Sequence, residues 1–158
     1  SSIGMTSAHN PQQLEQAWLN AARYDAEVIA EPLLRGKEYT VAILADQALP
    51  SVGIEAKESF YDYKAKYRSG DTVYHCPSDL SVSREQELRQ LSLDAFNSLG
   101  CSGWGRVDIM LDGRDQFQLL EVNTVPGLTN RSLVPMAAAE FGLDFDALVI
   151  EILKGCGS

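Results

Sequence analysis

The spacing of apolar and polar positions along the chain predicts both helices and strands. Apolar residues recur at helical spacing in residues 14–21, 88–99 and 144–153. Apolar runs typical of strands occur at residues 27–34, 38–45, 48–56, 104–111 and 116–122. Short turns at 46–47 and 112–115 join neighbouring runs into two hairpins. We therefore expect an α+β fold in which helices pack on an antiparallel sheet.

Residues typical of helix ends predict where each helix begins or ends. Asn10 is followed by a proline and, three residues later, by a glutamine, which is typical of an N-cap. Ser83 opens a Ser-Arg-Glu-Gln capping box, and Gly100 is suited to end that helix. Ser132 is predicted to cap a further helix, and Asp144 starts the last one.

Residues 57–80 interrupt this alternation. The stretch is polar but has four aromatic residues between positions 60 and 67. Connections of this length are usually functional, and the aromatic content argues against simple disorder. We expect an active-site loop here.

Composition and charge narrow the class of protein. Of the 158 residues, 45% are hydrophobic and 22% are charged, as in an ordinary globular protein. No apolar run is long enough to cross a membrane. A net charge of −9 disfavours nucleic acid, because phosphate binding needs clustered basic residues. Three cysteines without paired spacing indicate free thiols in a cytosolic protein.

The hairpin formed by residues 104–111 and 116–122 carries the strongest chemical signal. Arg106 and Asp108 share one face of their strand, because side chains alternate. If residue 111 pairs with residue 116, Arg106 lies opposite Glu121 and Asp108 lies diagonal to it. Asn123 shares the face of Glu121. The expected face therefore combines two carboxylates, an amide oxygen and one guanidinium.

Carboxylate and amide oxygens of this kind suit magnesium, which takes one or two carboxylates together with substrate phosphates. The same residues would also fit a solvated hairpin face with a surface ion pair. Their strands are rich in Val, Ile and Leu, and buried charges need partners, so the metal interpretation is favoured.

The sequence around this hairpin resembles the ATP-grasp ligases, and most closely the D-alanine–D-alanine ligases. The matching segments are residues 103–108, Gly-Trp-Gly-Arg-Val-Asp, and residues 119–127, Leu-Leu-Glu-Val-Asn-Thr-Val-Pro-Gly. The resemblance continues in residues 1–5, 60–67 and 128–135. The motifs follow in the family's order and span nearly the whole chain. They imply an ATP-grasp-type lobe.

The resemblance also implies a role for each residue of the hairpin. Asp108, Glu121 and Asn123 would hold two magnesium ions, or manganese in their place, that bridge the phosphates of ATP. Arg106 would stabilise the acyl phosphate and the tetrahedral intermediate. The backbone N–H of Gly127 would bind the developing oxyanion.

Further residues would bind ATP according to the same resemblance. Glu31 and Leu33 would lie at the hinge that meets adenine. Glu38 would bind the ribose hydroxyls, and Lys66 would reach the γ-phosphate.

The substrate residues are also implied by the family. Ser1 would lie near the first D-alanine, in contact with Tyr67, which would help to close the loop. Ser132 and the Leu133 N–H would bind the carboxylate of the second D-alanine, and a helix N-terminus favours such an anion.

The implied enzyme joins two D-alanines through an acyl phosphate for peptidoglycan synthesis in the bacterial cytoplasm. Its partners are ATP and D-alanine, with no nucleic acid and no membrane, and the full-length protein is usually a homodimer. Residues 1–35 would end the small ATP-grasp lobe, and residues 36–158 would form the large lobe. The family's enzymes are about twice this length, so the chain looks like their carboxyl-terminal half, and we expect no turnover by the chain alone.

Two alternatives stay open at this point. The chain could belong to an ATP-grasp ligase that uses D-lactate or D-serine, or it could be a Mg-ATP-binding fragment without chemistry. Tyr67 favours an amine nucleophile, because ligases of the family that make D-alanyl-D-lactate tend to lack this tyrosine.

Overall fold

The computed structural model describes residues 3–56 and 72–155. This part of the chain contains four helices: α1 (Pro11–Ala21), α2 (Val82–Ser98), α3 (Leu133–Glu140) and α4 (Phe145–Gly155). It also contains six strands: β1 (Glu38–Leu44), β2 (Gln47–Ala48), β3 (Val52–Ala56), β4 (Thr72–His75), β5 (Trp104–Leu111) and β6 (Phe117–Asn123).

The strands form one antiparallel sheet with β1 at its centre. The order across the sheet is β4-β3-β1-β5-β6, and β2 pairs with the end of β1. Six of the seven residues of β1 are buried, which requires cover on both faces of the sheet. Helices supply that cover, and the arrangement confirms the expected α+β fold.

Two apolar clusters lie on the two faces of the sheet. On the first face, β1 and β5 pack against α2 through Tyr39, Val41, Ile43, Leu88, Phe96, Val107, Ile109 and Leu111. On the second face, β1 and β3 pack against α3 and α4 through Ala42, Leu44, Leu49, Val52, Val134, Ala137, Ala138, Leu148 and Ile152. Further along that second face, β1 instead carries the polar residues Glu38 and Thr40.

The strand predicted at residues 27–34 is wrong for this chain. These residues pair with none of the described strands. The preceding helix α1 forms as predicted, with Asn10 Oδ1 accepting a hydrogen bond from the Gln13 N–H at 2.8 Å. However, α1 buries none of its residues, and Trp18 is 49% exposed. The segment before β1 therefore lies outside both apolar clusters.

Two other boundaries also differ from the predictions. Helix α2 is capped by Ser81 rather than Ser83, because the Ser81 hydroxyl accepts the Arg84 N–H at 3.4 Å. The predicted loop at 57–80 contains strand β4, which pairs with β3. Residues 57–71 lie outside the described part of the chain.

The two cysteines in the described part of the chain, Cys76 and Cys101, are free thiols as expected. Burial raises the pKa of the Cys76 thiol to about 11, and the charges of Glu140 and Glu85 act in the same direction. Because the thiolate is the reactive form, Cys76 is a packing residue rather than a nucleophile at neutral pH.

Gly36 allows the chain to enter β1 across the end of β5. A Cβ atom at this position would lie 2.2 Å from the Leu111 carbonyl oxygen and 2.7 Å from its carbonyl carbon. The same contact is fixed by the Leu111 N–H, which donates to the Lys37 carbonyl at 2.9 Å. A side chain at position 36 therefore cannot be accommodated unless the backbone moves.

We predict that Gly36→Ala lowers the free energy of unfolding by about 1–3 kcal/mol, the usual cost of overpacking. Gly113→Ala is the matched control, because a Cβ at Gly113 meets no atom within 4 Å. Urea denaturation of both variants measures the difference. Equal stability of the two variants would contradict the close approach at Gly36.

Candidate magnesium–nucleotide site

The pairing of β5 with β6 differs from the register expected from the sequence. At the turn, Leu111 pairs with Phe117, one residue later than expected. Between Ile109 and Asp108 the pairing shifts by one more residue, because Leu120 forms a bulge in β6. The expected register is therefore wrong by two residues at the site. A shift of two keeps every side chain of β6 on its expected face.

The bulge turns Glu121, the acidic residue of β6, to the face that carries Asp108. Asp108 lies directly opposite Glu121, and Arg106 lies directly opposite Asn123. With the observed pairing at the turn, a strand without the bulge would place Glu121 on the other face of the sheet. The four predicted residues therefore share one face, and the exclusion of Leu120 from the ladder is what turns Glu121 to that face.

Asp108 is the buried centre of this group. The residue is 4% exposed and its carboxylate is held by two neighbours. Arg106 donates from Nε to Oδ1 at 2.8 Å and from Nη2 to Oδ2 at 2.6 Å. The Thr40 hydroxyl, on the adjacent strand β1, lies 2.6 Å from Oδ1. A buried carboxylate needs such partners, and this one has both a bidentate ion pair and a hydroxyl.

The remaining oxygen donors are more accessible than Asp108. Glu121 is exposed, whereas Asn123 is half-buried and its Oδ1 accepts the Val125 N–H at 3.2 Å. Two carboxylates and one amide oxygen fit the ligand chemistry of magnesium. Across residues 3–56 and 72–155, no three His, Cys, Asp or Glu side chains meet as a metal site. Other oxygen atoms, of water or of a phosphate, would therefore have to complete the coordination.

A second part of the predicted site forms after β6, at the start of α3. Ser132 is the N-cap residue of α3, and its hydroxyl accepts the Thr129 N–H at 3.0 Å. A Cβ atom at Gly127 would lie only 3.3 Å from the Ser132 Oγ atom. The structure thus brings Gly127 and Ser132 together, and Leu133 is the first residue of the helix. Backbone N–H groups at a helix start favour anions.

The other predicted site residues that the structure describes lie at the start of β1 or before it. Glu38 begins β1 and shares its face with Thr40, two residues along the strand. Glu31 and Leu33 are exposed in the unpaired segment before β1. Ser1, Lys66 and Tyr67 lie outside the described residues.

Two residues near the site were missed by the sequence analysis. Thr40 lies within a strand that was predicted to be part of the core. A single polar residue in an otherwise apolar strand could have indicated a functional position. Gly105 is the second, because a Cβ there would lie 2.6 Å from the Phe96 ring and 3.0 Å from the Asn123 carbonyl oxygen. The missing side chain allows the end of β6 to approach β5 beside the site.

Similarity to known proteins decides the family. The sequence model described as D-ala D-ala ligase C-terminus matches residues 1–154. The chain belongs to this family. A D-alanine–D-alanine ligase of Alkalilimnicola ehrlichii is 57% identical over 153 residues, which are 97% of this chain and 49% of that protein. The chain spans about half the length of the curated relatives it matches.

Solved structures of the family have the same fold. The VanG D-Ala:D-Ser ligase of Enterococcus faecalis matches with a TM-score of 0.85 and 29% identity, over 98% of this chain and 46% of that one. A D-alanine–D-alanine ligase of Bacillus anthracis complexed with ATP matches with a TM-score of 0.76 and 28% identity. The match covers 93% of this chain and 49% of that one. The family and fold expected from the sequence are confirmed, and the fold does not distinguish the two second substrates.

The ion pair at the centre of the site leads to a stability prediction. The Arg106 and Asp108 side chains are 16% and 5% exposed. Arg106→Met leaves a buried carboxylate without its guanidinium, so we expect a loss of about 3–5 kcal/mol in the free energy of unfolding. The double variant with Asp108→Asn should recover part of this loss, because the uncompensated charge is removed.

Lys154→Met is the control for this cycle. It breaks the exposed pair between Lys154 and Glu151, 2.6 Å apart on α4, and exposed pairs contribute about 1 kcal/mol or less. Denaturant titration measures the free energy of unfolding of each variant. An Arg106→Met variant no less stable than Lys154→Met would refute the proposed energetic role of the buried pair.

Proposed function

We propose that this chain forms the magnesium–nucleotide part of an ATP-dependent D-alanine–D-alanine ligase. The observation that carries the proposal is the shared face on which Arg106, Asp108, Glu121 and Asn123 meet, in a chain of this ligase family. The relatives named as D-alanine–D-alanine ligases and the ATP-bound neighbour support the choice of substrates.

The proposed reaction has two steps. The carboxylate of one D-alanine attacks the γ-phosphorus of ATP, ADP leaves, and an acyl phosphate forms. The amine of a second D-alanine attacks the acyl carbon, the C–O bond to phosphate breaks, and the amine loses a proton. Such chemistry depends on positioning and charge neutralisation more than on covalent help from the protein.

The residues of the hairpin would divide this work. Asp108, Glu121 and Asn123 would hold two magnesium ions, or manganese in their place, which neutralise the charge of the ATP phosphates when bound. Arg106 would supply N–H donors to the acyl phosphate and the tetrahedral intermediate. The guanidinium is held beside the proposed metal ligands, because two of its N–H groups donate to Asp108.

The turn after β6 and the start of α3 would bind the groups that react. The N–H of Gly127 would donate to the developing oxyanion. Ser132 and the N–H of Leu133 would bind the carboxylate of the second D-alanine. The contact between Gly127 and Ser132 supports this pairing, because both groups would act on neighbouring atoms of the same substrates.

The nucleotide and loop contacts rest on the family resemblance. Glu31 and Leu33 would meet adenine, and Glu38 would bind the ribose. Lys66 would bind the γ-phosphate. Ser1 and Tyr67 would lie near the first D-alanine.

The segment before β1 would belong to a second lobe. The exposed apolar residues of α1 and of the unpaired segment 27–34 support this, because apolar surface of that kind needs a partner. The second lobe would be completed by the part of the family's protein that this chain does not span.

The setting proposed is the bacterial cytoplasm, where the product would serve peptidoglycan synthesis and the full-length protein would be a homodimer. Among the described residues, no helix has the length and apolar character that a membrane crossing requires.

We predict that the activity appears in a chimera that joins this chain to the amino-terminal half of the Alkalilimnicola ehrlichii relative. Phosphate release from ATP should depend on D-alanine and magnesium. Glu121→Gln should lower the D-alanine-dependent rate by on the order of 100-fold, the scale of losing one group that stabilises a transition state. Glu151→Gln, on the exposed part of α4, is the matched control and should leave the rate unchanged.

The same assay separates the alternatives. A chimera that binds ATP without D-alanine-dependent phosphate release would be a binding module. Competition among D-alanine, D-serine and D-lactate as second substrates identifies the ligase type. Because a D-Ala:D-Ser ligase also matches the fold, D-serine is the main alternative to D-alanine as the second substrate.

The lobe assignment predicts a change in hydrogen exchange. In the chain alone, the amides of residues 27–34 should exchange fast, because they have no partner in the described sheet. In the chimera they should become protected. The amides of β5, which pair on both sides in this chain, should be equally protected in both proteins. Unchanged exchange at 27–34 would argue against a second lobe.

A further inference from the structure

Thr40 is a buried hydroxyl at the centre of the proposed metal site. The residue is 1% exposed and pairs directly with Asp108 across β1 and β5. Its Oγ1 atom lies 2.6 Å from Asp108 Oδ1 and 3.1 Å from the Val107 carbonyl oxygen. A hydroxyl has one proton to donate, and the shorter contact is to the charged acceptor. Thr40 therefore donates to the carboxylate of Asp108.

This hydrogen bond makes the two oxygens of Asp108 unequal. An ionised carboxylate offers about four acceptor directions, two on each oxygen. Oδ1 accepts from both Thr40 and Arg106, whereas Oδ2 accepts only from Arg106 among the described residues. Oδ1 is therefore filled, and Oδ2 is the oxygen with a direction left for a cation.

We propose that Thr40 is a positioning residue that makes Asp108 a ligand through one oxygen only, and that it thereby favours magnesium over calcium. The proposal rests on the proposed function, because it assumes that Asp108 holds the metal. Magnesium takes monodentate ligands in a near-ideal octahedron, whereas calcium also accepts bidentate carboxylates and a larger shell. By filling Oδ1, Thr40 blocks the bidentate mode.

The local structure is suited to this role. A β-branched residue in a strand has few rotamers, so the hydroxyl of Thr40 is held in one direction. Its donor and the Asp108 acceptor lie on neighbouring central strands that both pack in the core. Neither group needs to be ordered when a metal binds.

The test is metal binding by the chain itself, without nucleotide and without turnover. Mn²⁺ is titrated into the protein and bound metal is followed by water-proton relaxation, with Mg²⁺ and Ca²⁺ as competitors. The variants are Thr40→Val, which removes the hydroxyl at nearly constant shape, and Thr40→Ser, which retains it. The matched control is Ser92→Ala, which removes another buried hydroxyl, one that donates to the Leu88 carbonyl within α2 at 2.7 Å.

We expect Thr40→Val to weaken Mn²⁺ binding by about 10- to 100-fold, as loss of a partner of a metal ligand does elsewhere. The same variant should lose preference for Mg²⁺ over Ca²⁺. Thr40→Ser should restore most of both properties, and Ser92→Ala should change neither. A general loss of packing would not alter the ratio of the two competitors.

The outcomes separate this proposal from the metal site on which it rests. If Glu121→Gln weakens Mn²⁺ binding while Thr40→Val leaves affinity and selectivity unchanged, the role of Thr40 is refuted and the metal site stands. If neither Glu121→Gln nor Asp108→Asn affects Mn²⁺ binding, or if no saturable binding occurs, both are refuted. Should Thr40→Val fail to fold, Thr40→Ala replaces it in the same titration.

Discussion

The burial of a carboxylate in the middle of a sheet is the constraint on which the site depends. Asp108 lies on a central strand whose other residues are almost all apolar, so its charge must be compensated within a few ångströms. The guanidinium two residues before it and the hydroxyl on the next strand supply that compensation. Arg106 reaches Asp108 through the alternation of side chains within β5, whereas Thr40 reaches it only if β1 and β5 pair in the observed register. The hydroxyl partner of Asp108 is therefore present only when the two central strands pair correctly.

The two faces of the sheet differ in the residues that they carry. The first face is apolar along β1 and β5 and packs on α2. On the second face, an apolar cluster packs on α3 and α4, and further along β1 the polar residues Glu38 and Thr40 lie beside the buried Met110. The proposed site residues Thr40 and Asp108 pair with each other at this polar end of the face. Helix α3 contributes to both the core and the proposed site, because its apolar side packs on the sheet while its N-cap residue Ser132 adjoins Gly127.

Local signals in the sequence predicted the helices, β5 and the group of site residues. They were sufficient because capping residues and alternation act within a few positions, as at Asn10, whose side chain accepts the Gln13 N–H. The strand at 27–34 was wrong because a strand also needs a partner, which apolar pattern alone does not supply. The register was wrong because counting from a turn cannot detect a bulge such as Leu120. Thr40 was missed because its partner is 68 positions away along the chain.

The bulge in β6 has a consequence for how this hairpin can vary. Because one residue at Leu120 stands outside the ladder, the strand can gain or lose a residue there without turning Glu121 away from Asp108. A deletion at the bulge would keep the alignment on both sides of it, whereas the same deletion between the bulge and Asn123 would reverse one ligand relative to another. Insertions and deletions in β6 should therefore be tolerated at Leu120 and selected against between Leu120 and Asn123.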